Sequence, residues 1–103
     1  MYVMVLTTFE DKKTAKKVAN TIVDDGLGAC VQIIGHMESV YMWQGVIETS
    51  QEYLCIIKTK KELYEELENT ISEIHPYENP EIIAIDIQDG SDSYLKWIQQ
   101  VTG

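Results

Sequence analysis

The chain has 103 residues, 45% of them hydrophobic and 24% charged, which excludes a disordered chain and predicts a single domain over residues 1–103. Seventeen acidic residues against eight basic ones, all of them lysine, give a formal net charge of -9. Nucleic-acid binders present a basic surface that usually carries arginine, so this balance argues against a nucleic-acid partner.

The first half of the chain predicts a strand, a helix and a long hairpin. Apolar and β-branched side chains over residues 2–8 predict a strand that is buried on both faces. From 11 to about 25 the apolar residues recur at helical spacing, and Gly26 stands where that helix would end. Residues 28–44 and 46–58 predict two strands that reverse at Gln44-Gly45.

The second half predicts a helix, a strand and a short terminal helix. The segment 59–62 has the spacing of a capping box, so a helix is predicted to begin after Thr59 and to run to about His75, where Pro76 stops it. A strand over 81–87 and a helix over 91–101 follow. With right-handed crossovers, the order β-α-β-β-α-β predicts an α+β fold, the ferredoxin-like plait, with an extra C-terminal helix.

The strand predicted over 28–44 is apolar on both faces, which does not suit a monomer. A sheet that helices cover on one side should carry polar residues on the other. In this strand Val31 and Ile33 point to one side and Cys30 and Ile34 to the other. We therefore expect the open face to be covered by another subunit.

The N-terminal segment and the cysteines bear on the compartment. Residues 1–6 are apolar, but they are too few to span a membrane and lack a basic leader. Cys30 and Cys55 each lie in an apolar run, as core thiols do in a reducing compartment. These two features predict a cytoplasmic protein with no membrane partner. Because a reversal at residues 44–45 does not place the two thiols opposite each other, we also expect no disulfide.

Five segments together resemble the CutA family of divalent-cation-tolerance proteins; they are residues 28–31 (GACV), 39–45 (SVYMWQG), 57–59 (IKT), 75–83 (HPYENPEII) and 94–98 (YLKWI). The resemblance spans nearly the whole chain. It implies a ferredoxin-like subunit assembled as a compact homotrimer, similar in architecture to the P-II-type signalling proteins. It also implies a role in tolerance to copper and other divalent cations, which are then the expected cofactors.

Three residues are candidate metal ligands. His75 is the first, because imidazole binds copper and zinc and the family's copper proposal involves a histidine directly before this Pro-Tyr. The alternative is that His75 stabilises the end of its helix. Glu78 adds a carboxylate on a turn that two prolines make rigid. Cys30 matches the family's Ala-Cys segment, and it is either a thiolate ligand or a small core residue.

Two positions differ from relatives that carry a softer metal site. Some family members have a second histidine where this chain has Ile74, and some have a cysteine where it has Thr7. A site made of that thiolate and a histidine pair would be mostly missing here. His36 is too far along the sequence to replace either ligand.

Five further residues are candidate ligand-binding residues. Tyr41 and Trp43 share a strand face, where they form either one wall of an intersubunit cleft or a packed interface. Lys58 is a lone cation among apolar residues and could bind an anion, or pair with Glu81 or Glu78 for structure alone. Tyr77 lies with Glu81 on the rigid turn, which suits a binding site as well as a tight connection.

Two functional hypotheses follow, and an enzyme is disfavoured. The first is a trimeric, non-enzymatic metal-binding or metal-response protein. The second is a P-II-like signalling trimer that binds a small metabolite in an intersubunit cleft near Tyr41, Trp43 and Lys58. Because the chain has no arginine, no glycine-rich phosphate loop and no evident nucleophile-base pair, we predict no catalytic residues. A scaffold for an unidentified protein partner remains open.

Overall fold

Four strands form one antiparallel sheet in the order β2-β3-β1-β4, which confirms the predicted ferredoxin-like arrangement. The computed structural model describes all residues from 1 to 103. Its elements are β1 (Tyr2–Phe9), α1 (Lys12–Asp24), β2 (Cys30–Trp43), β3 (Val46–Lys60), a 3₁₀ turn (Lys61–Leu63), α2 (Tyr64–Ile74), β4 (Ile83–Ile87) and α3 (Asp92–Val101). None of these helices combines the length and the apolar character that crossing a membrane requires.

The core lies between the sheet and the helices α1 and α2. Alternate residues of β1 and β3 are buried in it, because the strand period of two directs them to one face. The apolar stripes of α1 and α2 cover them. The cluster consists of Val3, Val5, Phe9, Ala15, Val18, Ile22, Leu27, Cys55, Ile57, Leu67 and Ile71.

Helix α3 packs on the opposite face of the sheet. Lys58 and Lys60 point to that face, since they alternate with the core residues of β3. The Nζ of Lys58 lies 5.6 Å from the centre of the Tyr94 ring. The Nζ of Lys60 donates a hydrogen bond to the carbonyl of Thr102 at 3.3 Å. The helix thus covers one end of this face and leaves the rest open.

Both predicted glycine positions are confirmed. Gly26 follows α1 with a φ of 71°, a left-handed conformation that glycine adopts without strain. At the tip of the long hairpin, Gln44 and Gly45 have φ values of 50° and 82°. Two successive positive φ angles are typical of the tight turn that joins twisted strands.

The capping box predicted at Thr59 is wrong. β3 continues to Lys60 because it pairs with β1 as far as Tyr2, so Thr59 belongs to the sheet, opposite Val3. Its side chain is fully buried and its hydroxyl has no hydrogen-bond partner. The chain enters α2 through the 3₁₀ turn, and no side chain caps either start.

A bulge divides β2 into two parts. The register against β3 shifts between Ile34 and Met37, where Gly35 and His36 stand opposite Tyr53 alone. The extra residue moves every later side chain of β2 to the other face of the ladder. Beyond the bulge, the hairpin of residues 37–52 extends away from the helices; we call it the arm.

Two apolar surfaces remain exposed. On the sheet face that α3 only partly covers, Ile34, Ile83 and Ile85 are 53%, 48% and 43% exposed. The arm carries further large apolar side chains that are more than one-third exposed, namely Val40, Tyr41, Met42, Trp43, Val46 and Ile47. The open apolar face that the sequence predicted is therefore present, and it extends along the arm.

Candidate functional site

A cleft of about 840 Å³ opens between the arm and the connection from α2 to β4. The arm contributes one wall through the side chains that share the face of Glu52, and the connection contributes Tyr77 to Glu81. No lysine or histidine lines it, whereas five glutamates do; these are Glu10, Glu48, Glu52, Glu78 and Glu81. We call it the acidic cleft.

The bulge brings two predicted aromatic residues into the acidic cleft. With the shifted register, Tyr41 pairs with Glu48 and Trp43 pairs with Val46, so both rings lie on the glutamate face. Without the extra residue, they would face the side of the helices. The hydroxyl of Ser50 donates a hydrogen bond to the hydroxyl oxygen of Tyr41 at 3.3 Å.

Glu52 is the carboxylate that the protein buries. Its side chain is only 8% exposed, and Oε2 accepts two hydrogen bonds, from Thr8 Oγ1 at 3.1 Å and from the Tyr77 hydroxyl at 2.8 Å. Its other oxygen, Oε1, accepts no hydrogen bond from the chain. Burial, the hydrogen bond to Glu52 and the charge of Glu52 raise the pKa of Tyr77, so the phenol keeps the proton that it donates.

His75 supports this wall from behind. Its Nε2 lies 2.7 Å from the carbonyl of Thr8 and its Nδ1 accepts the backbone N–H of Tyr77 at 3.1 Å. Because a carbonyl only accepts, the proton is on Nε2 and the ring is neutral. Burial also lowers the pKa of His75, which favours the same form. The ring stacks on Phe9 with their centres 4.3 Å apart.

This arrangement favours a structural role for His75 over a metal ligand. Both ring nitrogens are already used, and a metal ion would have to displace one of the two bonds. The structural role differs in detail from the one predicted at the end of the helix. The His75 side chain does not contact the last carbonyls of α2; it joins the end of β1 to the turn that carries Tyr77. The backbone N–H of His75 bonds Ile71 at the end of the helix.

The other predicted residues separate into two groups. Tyr41, Trp43, Tyr77, Glu78 and Glu81 all line the acidic cleft.

Cys30 and Lys58 lie elsewhere. They pair with each other across β2 and β3, at the end of the sheet that α3 covers. The three candidate metal ligands therefore do not converge, and no group of three or more His, Cys, Asp or Glu side chains in the chain is arranged to hold a metal ion. The metabolite cleft predicted near Tyr41, Trp43 and Lys58 lies between subunits and stays a prediction; within one subunit Lys58 lies apart from the two aromatic residues.

The two cysteines are not opposite each other in the hairpin of β2 and β3, as the sequence predicted. Cys55 pairs with Ile33 and Cys30 with Lys58, so the thiols are unopposed and both are free. Cys55 is buried, and desolvation raises its pKa to about 11. Cys30 is half-buried, contrary to the expectation of a fully buried core thiol.

Glu52 is the central residue that the sequence analysis missed. Glu48, Ser50 and Glu52 alternate along β3 with apolar or neutral neighbours, which is the period-two pattern of a polar strand face. That signal indicates a polar face on the arm. It does not indicate which of the three residues is buried, because Thr8 and Tyr77 lie 44 and 25 residues away along the chain.

The fold and the site define a class: a ferredoxin-like α+β protein with an acidic, aromatic-walled cleft. A family model described as "CutA1 divalent ion tolerance protein" matches residues 3–101. The chain therefore belongs to the CutA1 family, which confirms the resemblance seen in the sequence. The family takes its name from tolerance of divalent ions, and that name describes no reaction.

Individual relatives agree with this assignment. The chain is 42% identical over 100 residues to the divalent-cation tolerance protein CutA of Pyrococcus horikoshii, covering 97% of each. It is 42% identical to the chloroplastic CutA of Arabidopsis thaliana, of which it spans only 55%. The solved structure of Cut A1 from Thermus thermophilus superposes with a TM-score of 0.97 at 36% identity, over the full length of both chains.

Proposed function

We propose that this protein acts in divalent-cation tolerance by binding the cation itself, as a homotrimer without catalytic activity. The observation that carries the proposal is the acidic cleft, which five glutamates line without a lysine or histidine. Because no three of them form a ready group of ligands, a bound cation would draw their side chains together. A net charge of -9 adds a long-range attraction for cations. The printed name of the Pyrococcus relative, a divalent-cation tolerance protein, supports the same role.

The ligand chemistry favours oxygen donors over the imidazole that the sequence suggested first. Carboxylates are the usual protein ligands of hard divalent cations. Glu52 offers Oε1, which no donor in the chain occupies. Copper(II) prefers imidazole to carboxylate, and it would reach His75 only by replacing a hydrogen bond. We therefore propose Glu52 and its neighbours in the cleft as the cation contact, with copper as one of the cations tested.

The open apolar surfaces support the homotrimer. Ile34, Ile83 and Ile85 lie on one sheet face and are close to half exposed. Their continuation along the arm makes a surface larger than isolated exposed side chains, which is typical of a subunit interface. We propose that two further copies of the chain cover it, in a cytoplasmic assembly. Light scattering at micromolar concentration tests this proposal, and a monomer would contradict it.

Isothermal titration of the reduced protein with magnesium, zinc and copper tests the metal proposal. We expect a saturable site in the wild type and at least a tenfold weaker site in Glu52→Gln, because the variant removes the negative charge but keeps the shape. Glu66→Gln is the matched control, since Glu66 is an exposed carboxylate of α2 outside the cleft. Absence of saturable binding for all three metals would overturn the proposal.

His75→Gln separates the two possible sites. If copper binds through the imidazole, this variant loses copper binding while Glu52→Gln keeps it. If the carboxylates hold the cation, the pattern is reversed. Thermal unfolding of each variant checks that a loss of binding does not come from a loss of folded protein.

A further inference from the structure

We propose that the carboxylate of Glu52 is a latch that fixes the arm to the base of the sheet, the part that α1 and α2 cover. Thr8 and Tyr77 donate the hydrogen bonds that close the latch, and the closed form is the one in which subunits associate. The latch acts within one subunit and needs no bound ligand, whereas its effect on association rests on the proposed homotrimer.

Within its own subunit the arm has one buried point of attachment. Its two strands pair with each other and with no third strand, since residues 37–43 of β2 lie opposite residues 46–52 of β3. Among all residues from 37 to 52, Glu52 alone is buried. No fully buried apolar side chain therefore holds the arm, and its attachment depends on the polar contacts of Glu52.

The bulge weakens the other constraint on the direction of the arm. The pairing of β2 with β3 shifts between Ile34 and Met37, so the ladder is interrupted where the arm begins. A bulge bends and twists the strand that carries it. Gly35 adds no side chain at this point, and a Cβ there would clash with the ring of Tyr53. A contact on the far side of the bulge is therefore what fixes the direction of the arm.

Glu52 supplies this contact at the first rung of the arm. It pairs with Met37, the first residue of β2 that regains the register after the bulge. Its Oε2 accepts a hydrogen bond from Thr8 Oγ1 at 3.1 Å and another from the Tyr77 hydroxyl at 2.8 Å. Hydrogen bonds to a charged acceptor are stronger than neutral ones, and burial strengthens them further. An arm that moves away from the base has to break both bonds.

The two donors are themselves tied together through one imidazole ring. The Nε2 of His75 lies 2.7 Å from the carbonyl oxygen of Thr8, and its Nδ1 accepts the backbone N–H of Tyr77 at 3.1 Å. With the two bonds to Glu52, these contacts form a closed ring that joins the end of β1, the start of the arm and the turn after α2. Donors that are held by further contacts keep their acceptor in one geometry. The latch therefore has a rigid side in the base and a single carboxylate on the arm.

A fixed arm favours association of the subunits. The exposed apolar side chains of the arm belong to the surface that we propose as the subunit interface. Association loses free energy when it has to order a segment that is free in the separate subunit, and a segment already held in place avoids this loss. We therefore expect an open latch to weaken the trimer even though the exposed side chains of the arm are unchanged.

Subunit exchange measures the strength of association. Unlabelled and isotope-labelled protein are mixed, and native mass spectrometry follows the formation of mixed trimers. Tyr77→Phe and Thr8→Val each remove one donor and keep the bulk of the side chain. Tyr53→Phe is the matched control, because Tyr53 is next to Glu52 in β3 but lies on the other face of the sheet. Thermal unfolding checks that each variant is folded, and either donor variant alone is sufficient for the test.

We expect Tyr77→Phe and Thr8→Val to exchange subunits at least about fivefold faster than the wild type, because each loses a buried hydrogen bond and weaker association mainly raises the dissociation rate. Tyr53→Phe exchanges at the wild-type rate. Glu52→Ala opens the latch fully, whereas Glu52→Gln keeps an acceptor oxygen and lies between Glu52→Ala and the wild type. This order separates the latch from the cation contact, which needs the negative charge and is lost in both Glu52 variants.

The arm itself is followed through Trp43, which is the last residue of β2 at the tip. In a Trp97→Phe background Trp43 is the only tryptophan, so time-resolved fluorescence anisotropy of the diluted protein reports its motion. We expect a larger fast loss of anisotropy in Tyr77→Phe than in Tyr53→Phe, because only the first variant releases the arm.

The outcomes separate the latch from the proposed homotrimer. A monomeric wild type overturns the homotrimer and the effect on association, and the anisotropy of Trp43 then decides the latch: equal values in Tyr77→Phe and Tyr53→Phe overturn it. If the wild type is a trimer but Tyr77→Phe exchanges no faster than Tyr53→Phe, the latch is overturned and the homotrimer stands. Equal exchange rates of Glu52→Gln and Glu52→Ala would assign the effect to charge, and they also overturn the latch.

Discussion

The two ends of β3 each carry an isoleucine, but the subunit buries the two side chains to very different extents. Ile57 and Ile47 lie on the same face of one strand, yet Ile57 is fully buried and Ile47 is 69% exposed. The difference does not lie in the residue itself, since both are isoleucines at strand positions of the same parity. What differs is the covering layer, since α1 and α2 cover the base of the ladder and nothing in the chain covers the arm. Strand burial is therefore decided by the elements packed on it, and an apolar strand without them indicates a partner.

The acidic cleft begins where these two regions meet. Glu52 is the first residue of β3 that lies beyond the bulge, and it is the one arm residue that the subunit itself buries. The rigid base holds its partner Thr8, and the turn after α2 holds Tyr77. The carboxylate that we propose as the cation contact therefore combines the rigidity of the core with access to the open arm.

The largest expected effect tests the comparison directly. Ile57→Ala removes side-chain atoms from the packed core, and we expect it to lower the free energy of unfolding by about 2–5 kcal/mol. Ile47→Ala is the matched variant on the arm, where we expect a change within about 0.5 kcal/mol for the isolated subunit. Urea unfolding at several protein concentrations measures both.

The same unfolding experiment also tests whether another subunit covers the arm. If another subunit covers the arm, Ile47→Ala weakens association, so on dilution its unfolding midpoint falls to that of the separated subunit at a higher protein concentration than for the wild type. Ile57→Ala lowers the midpoint at every concentration alike. Equal effects of the two variants at all concentrations would mean that the arm is not distinct from the core.

The second effect concerns His75, which joins the base to the turn. His75→Leu keeps the bulk of the side chain but leaves the Thr8 carbonyl and the Tyr77 N–H without partners, so we expect a loss of about 2–3 kcal/mol. His36→Gln is the control on an exposed histidine, expected within about 0.5 kcal/mol. Equal small losses would show that the bonds of the His75 ring contribute little.

The stability of the wild type should depend on pH through the same residue. Burial lowers the pKa of His75 from its ordinary value of 6.5, so the unfolded chain takes up the proton first. The contribution to stability is complete above pH 6.5 and decreases as the pH falls below it. We expect His75→Leu to flatten this part of the curve, which urea titrations between pH 7.5 and 5 measure. An unchanged slope would contradict the lowered pKa.

The third effect addresses the bulge. A Cβ at Gly35 would clash with the Tyr53 ring, so Gly35→Ala forces the ring or the bulge to move, and we expect a loss of about 1–3 kcal/mol in the free energy of unfolding. Gly45→Asn is the control at the tip, where nothing lies within 4 Å and asparagine tolerates the positive φ. Tyr41 and Trp43 depend on the bulge for their face, so their fluorescence and accessibility to quencher should change only in Gly35→Ala.

The fold was predictable because its signals are local. Helical periodicity, Gly26 after α1 and the Gln44-Gly45 reversal each occupy a few consecutive residues, and all are confirmed. The bulge was missed, although Gly35 within a strand is its usual sign. The capping box at residues 59–62 failed because pairing with β1 held Thr59 in the sheet, which is tertiary structure overriding a local preference.

The site was predictable only in outline. The aromatic pair and the turn after Pro76 were identified, and they do meet in one cleft. The hydrogen bonds of Glu52 and the bond between His75 and Thr8 join residues 25 to 67 positions apart, and no local pattern encodes them. Lys58 was predicted near the same cleft as Tyr41, but within one subunit ten residues of β3 separate it from Glu48, the residue opposite Tyr41.

The smallest expected effect has a sign that decides between the predicted and the observed role of Thr59. Its hydroxyl is buried without a hydrogen-bond partner, so Thr59→Val exchanges an unsatisfied polar group for a methyl group of similar shape. We expect the variant to be as stable as the wild type or more stable by up to about 1 kcal/mol. An N-cap in the same place would give a loss of about 1 kcal/mol.

Thr8→Val is the matched control on the other face of the sheet, where the hydroxyl donates to Glu52, and it should lose about 1 kcal/mol. A loss in both variants would mean that Thr59 has a partner, and opposite signs would confirm that only the threonine at the cleft uses its hydroxyl.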